Sequence, residues 1–65
     1  MIVNRNDVFS SKETGLKIKV STVQRSSSSK FDLCVVRNLS KNDKPVPSTV
    51  RVVLADSIRR RYWKS

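Results

Sequence analysis

Apolar and basic residues alternate without a break along Leu16-Lys17-Ile18-Lys19-Val20. A period of two marks a strand with one face in a core and the other in water. Leu16, Ile18 and Val20 are therefore expected inward and Lys17 and Lys19 outward. Thr22 and Val23 extend the segment, but Val23 is out of phase with Val20, which predicts a bulge or bend between them. A second strand is predicted over Phe31-Asp32-Leu33-Cys34-Val35-Val36-Arg37. Phe31, Leu33 and Val35 share one of its faces and Asp32, Cys34 and Val36 the other, the pattern of a strand covered on both sides. A third, Thr49-Val50-Arg51-Val52-Val53-Leu54, turns Val50, Val52 and Leu54 inward and Arg51 outward. Ten valines in 65 residues add β-propensity to all three.

Upstream, Asp7-Val8-Phe9-Ser10-Ser11 reads as a short first strand, and Lys12-Glu13-Thr14-Gly15 as the turn after it. The only glycine of the chain stands there, where a positive φ is useful. Two hydrophilic stretches separate the apolar blocks. Residues 24–30 carry four consecutive serines and read as a solvated loop; residues 38–48 hold both prolines with Asn and Asp, which oppose helix and central strand alike. Helical signal is confined to the end, where Asp56 or Ser57 can cap residues 57–63 and Ile58 and Tyr62 stand four apart. A single turn followed by a last strand, Tyr62-Trp63-Lys64, fits equally well. Four to five short strands with polar turns predict a mainly β fold, a small barrel or curled antiparallel sheet with a short C-terminal helical turn, as one domain over 1–65.

An opening Asn-Asp-Val-Phe, a Gly turn, three further strands and a turn before an aromatic end together resemble a small SH3-like barrel of the KOW or Tudor kind, covering residues 6–64. The resemblance is one of architecture. It implies binding of RNA, DNA or peptides rather than one activity. The chain is also similar in style to bacteriophage or mobile-element accessory proteins.

Composition then narrows the chemistry. The chain has no His and one Cys, which removes the usual general base, the commonest metal ligand, an internal disulfide and a Cys-based zinc site. Cys34 lies in an apolar run and reads as a small buried hydrophobe. Asp7, Glu13, Asp32, Asp43 and Asp56 are spaced singly, so no carboxylate pair suggests acid–base or metal chemistry. The expectation is a protein that is not an enzyme and uses no cofactor and no metal. Its apolar runs are far below the ~18 residues that span a bilayer. With no apolar run suited to a signal peptide and a single Cys, no membrane association and a cytoplasmic location are expected.

Charge points to the partner. Fourteen Lys and Arg against five Asp and Glu leave a formal +9 on 7.4 kDa, self-repulsion that a counter-charged partner relieves. The densest cluster is Arg59-Arg60-Arg61-Tyr62-Trp63-Lys64. Its arginines suit phosphate through their forked donors, and its aromatics suit an unpaired base. Because neighbours on a strand face opposite ways, one of Tyr62 and Trp63 is expected inside, with Trp63 the preferred core residue. The second group is the outward row Lys17, Lys19, Arg37 and Arg51; opposed like charges there imply either separation or an anionic partner. The cations flanking the loops, Arg25, Lys30, Lys41 and Lys44, read as ordinary solvated charges. These features support a non-catalytic nucleic-acid-binding module, DNA slightly ahead of RNA. The binding residues are Lys17, Lys19, Arg37, Arg51, Arg59, Arg60, Arg61, Tyr62 and Lys64. The alternative is a protein-interaction module, a small regulator or inhibitor docking on an acidic surface, with Val36, Val46 and Val53 facing outward toward a partner or a second copy.

Overall fold

The computed structural model describes residues 2–64. Five strands form one antiparallel sheet: β1 (Val8–Ser11), β2 (Lys17–Gln24), β3 (Leu33–Asn38), β4 (Arg51–Leu54) and β5 (Tyr62–Lys64). A seven-residue helix, α1 (Ala55–Arg61), joins β4 to β5, and 3-10 turns occupy Ser29–Phe31 and Pro47–Thr49. The strand order is β4-β3-β2-β1-β5, so the last strand returns beside the first. The fold is mainly β, a small curled sheet with a short C-terminal helix, one of the two forms the sequence predicts.

Why the sheet closes on one side is visible in its core. Val3, Phe9, Ile18, Val20, Cys34, Val36, Ala55 and Ile58 are buried together, with Val23, Val53 and Tyr62 packed against them. Phe9 opposes Ile18, Val20 opposes Val36, and Cys34 opposes both Val23 and Val53. Residues directly opposite share a face, so the centre of one face of the sheet is apolar and α1 covers it with Ala55 and Ile58. An isolated helix of this length does not hold in water; burial of Ile58 is what keeps it.

The predicted bulge lies in β2, where the register with β3 shifts between Val20 and Thr22. The extra residue, Ser21, returns Val23 to the core face. Gly15 takes φ +75° at the end of the β1–β2 turn. The Ser11 and Gly15 N–H groups there donate to Leu16 O and Ser11 O. Asn6 and Asp43 also adopt positive φ, as the short polar side chains best suited to it do.

Several expected orientations are corrected. Leu16 is 62% exposed, because β2 begins only at Lys17 and Leu16 belongs to the turn. In β4 the inward residue is Val53, which opposes Cys34. Val52 and Leu54 face out beside Val35 and Leu33, and Val50 is exposed. Arg51 opposes the buried Val36 and so belongs to the core side of the sheet at its rim, where it bonds Asn38 Oδ1. A run of four apolar residues hides its parity, and that is why the phase is missed. Val36 and Val53, expected outward, are respectively buried and packed on the core, and Val46 is half-buried. Helix α1 starts earlier than expected, at Ala55, with Leu54 at the N-cap and no side-chain cap. Asp56 instead sits in the first turn and pairs with Arg59 and Arg60, favourable for both the helix dipole and the i,i+3 and i,i+4 spacing.

The serine-rich loop is more ordered than its composition suggests. Asp32 is buried, and its carboxylate accepts from Ser26 N–H at 2.8 Å and Arg25 Nη1 at 3.0 Å. Arg25 also donates to Val3 O and Asn4 Oδ1. One guanidinium thus ties the N-terminal segment, the loop and the start of β3 together.

Candidate nucleic-acid interface

The face of the sheet turned away from the core carries Trp63 and three of the candidate cations. Ser10 opposes Lys17 on one side and Trp63 on the other. Two residues along, Val8 opposes Lys19, which opposes Arg37. These pairings set Trp63, Lys17, Lys19 and Arg37 on one surface across four strands. Trp63 is 63% exposed, and Lys12, from the β1–β2 turn, holds its Nζ 4.3 Å from the ring centroid. That cation–π contact orients the indole without covering it on both sides.

Trp63 is therefore not the core aromatic it was expected to be. Tyr62 opposes Ser11, in phase with Phe9, and packs against the core while Trp63 turns outward. The signal for this was the four-residue spacing of Ile58 and Tyr62, which puts both on the inward side. Tyr62, half-buried on the inner face, is thereby withdrawn from the exposed basic surface.

Lys19 and Arg37 are directly opposed like charges, an arrangement that costs stability unless an anion lies against it. Neither has a carboxylate partner among the described ion pairs, and the Arg37 Nε is buried with no hydrogen-bond partner. Lys17 has only a loose contact with exposed Asp43, at 3.9 Å.

The remaining predicted cations are divided. Arg59 and Arg60 are held by Asp56 at 2.9 and 3.1 Å. Arg59 lies apart from the sheet face, whereas Arg60 and Arg61 line a cleft of ≈ 320 Å³ with Ser11, Lys12, Glu13 and Tyr62. Lys12 N–H donates to Arg61 O, so Lys12 links this cleft to Trp63. Lys64 pairs with Asp7 at 3.7 Å. Arg51, on the inner parity, is outside the basic face. Lys12 is the residue the sequence reading missed; a turn lysine next to β1 and far along the chain from Trp63 carries no local sign of that contact.

Asp56 titrates below the ordinary carboxylate range, mainly through the Arg59 hydrogen bond. Burial pushes the Cys34 thiol up, so it stays protonated and weakly nucleophilic. Among the described residues, no group of His, Cys, Asp and Glu is arranged to hold a metal ion, and no helix is long and apolar enough to cross a membrane.

No protein-family model matches the chain, and comparison with curated proteins and with solved structures finds no significant relative.

Proposed function

We propose that the protein is a small non-catalytic module that binds single-stranded nucleic acid across the outer face of its sheet, with single-stranded DNA as the first ligand. One observation carries the reading: an exposed tryptophan shares a sheet face with Lys17, Lys19 and Arg37, none of them firmly neutralised. An indole face accepts any unpaired base, and cations spaced along the same face meet the phosphates that follow it. The ligand also relieves the Lys19–Arg37 opposition. Lys12, Arg60 and Arg61 extend the positive surface around the turn. We read the sheet as an open form of the SH3-like architecture named above.

The single Trp makes its own reporter. Fluorescence titration with oligo-dT, oligo-U and a duplex, over a salt series, is expected to show quenching by the single strands. Three or four neutralised phosphates predict a slope of log K against log salt of about −2 to −3. Trp63→Ala, followed by anisotropy of a labelled strand, weakens binding by about 1–3 kcal/mol, roughly 5- to 150-fold. Lys19→Ala makes the slope shallower by roughly 0.7. Unchanged fluorescence and anisotropy with every ligand at low salt would sink the reading.

A further inference from the structure

Strand β4 forms one edge of the sheet and is paired with β3 alone. One bond shows which of its backbone groups face the open side. Ala55 N–H donates to Asp32 O at 3.0 Å, continuing the register in which Leu54 opposes Leu33. Successive residues of an antiparallel strand turn their N–H and C=O to alternate sides. Val53 and Arg51 therefore also bond toward β3. The Val52 N–H and C=O and the Leu54 N–H point away from the sheet.

Beside this edge the outer face is apolar. Val52 opposes Val35 and Leu54 opposes Leu33, and Val52, Leu33 and Leu54 are 59%, 39% and 38% exposed. The uncommitted charge nearby is positive. Arg51 donates to two neutral oxygens, Asn38 Oδ1 and Thr49 O. Lys30 sits over exposed Phe31. The carboxylates at the two ends of this strand pair are committed: Asp32, before β3, to Arg25 and Ser26, and Asp56, after β4, to Arg59 and Arg60.

We propose that this edge receives an extended, acidic segment of a partner protein, which adds to β4 as a further antiparallel strand. Main-chain bonds to Val52 and Leu54 supply the pairing, and alternate side chains supply the selection. The residues opposite Leu54 and Val52 project to the outer face and extend its apolar rows. The residue opposite Arg51 projects to the inner side, where a carboxylate completes the guanidinium. Read from its N-terminus, the segment is apolar, any residue, apolar, acidic. A second copy of this chain fits less well, since it brings another +9 and no uncommitted carboxylate to β4. A nucleic acid has neither the apolar alternation nor the backbone amides. The site is separate from the Trp63 surface, so either proposal can fail without the other.

The test is amide hydrogen exchange by NMR on the whole protein, with a synthetic peptide containing Val-Thr-Val-Glu and a control with Lys in place of Glu. At saturation with the acidic peptide, exchange at the Val52 and Leu54 amides slows roughly tenfold, while the control peptide at about 1 mM leaves it unchanged. Arg51→Glu reverses the preference between the two peptides. Val52→Pro removes the N–H and abolishes binding; Arg51→Glu decides the matter should that variant not fold. The proposal is overturned by unchanged exchange at both amides with about 1 mM acidic peptide. It is equally overturned by protection that rises with protein concentration without peptide, the sign of a second copy on the edge, or by equal protection from oligo-dT.

Discussion

Asp32 is a buried carboxylate in a strongly basic chain, and its partners determine how it responds to acid. The Ser26 N–H and then the Arg25 guanidinium hold it below the ordinary carboxylate range, against the opposing effect of burial. A carboxylate with a depressed folded pKa binds protons more readily in the unfolded chain. Its stabilisation is complete above the unfolded value, ~3.9, and is lost as pH falls through the folded one. Thermal melts are therefore expected to hold level near neutral pH and to fall below about pH 4. Asp32→Asn lowers Tm at pH 7, because it leaves Arg25 facing a neutral amide, and flattens the acid limb; an acid limb as steep as in the parent chain would remove Asp32 from this role. Cys34 is the other buried titratable group. With its thiol pushed up by burial, it reacts with a disulfide reagent only through opening of the fold. Labelling in native buffer is expected to be about a hundredfold or more slower than in urea.

At the scale of elements, the β1–β2 turn and the bulge in β2 do what side-chain pattern alone does not. Gly15 has φ +75° and nothing within 4 Å of where a Cβ would stand. Gly15→Ala therefore meets no clash, and its cost is conformational, about 1–2 kcal/mol. In a domain of this size each kcal/mol lowers Tm by ~4–8 °C, which calorimetry resolves. The turn also places Lys12 over Trp63, so Gly15→Ala weakens single-stranded DNA binding more than its distance from the basic face suggests. In β2, Ser21 is the residue that lets Ile18, Val20 and Val23 all reach the core. Helix α1 is held by Ala55 and Ile58 rather than by a cap. Ile58→Ala accordingly costs about 2–5 kcal/mol, enough to leave a marginal small domain largely unfolded by circular dichroism.

The whole molecule combines a thin core with a large charge. Among the described residues eight buried hydrophobic side chains support a chain of net charge +9 and Cα radius of gyration 10.9 Å. At 0.01 M salt the Debye length, ~30 Å, is comparable to the 35 Å long axis of the molecule and the cations repel across it; at 0.15 M it is ~8 Å. Raising NaCl over this range is therefore expected to raise Tm while weakening nucleic-acid binding. One salt series measured both ways separates the two effects. A Tm that falls with salt would mean that ion pairs such as Arg25–Asp32 outweigh the general repulsion.

Much of this was legible in local pattern. Strict alternation at residues 16–20 predicts a strand, the slip before Val23 predicts the bulge, and the lone glycine marks the turn. Those features depend on near neighbours along the chain, where backbone geometry alone sets the period. The apolar run at 52–55 has no polar residue to show its phase, so its facing was settled by pairing: Val53 opposes Cys34 and leaves Val52 and Leu54 on the outer edge. Tyr62 and Trp63 are adjacent aromatics, and the larger Trp63 has the stronger claim on a core by size alone. Antiparallel pairing of β5 with β1 turned Tyr62 in behind Phe9 and Trp63 out beside Ser10 and Lys17. The sequence by itself determined the mainly β class, the central strands and the sign of the net charge. Only the tertiary structure decided which aromatic meets solvent and which cations share its face, because both depend on which strands lie side by side.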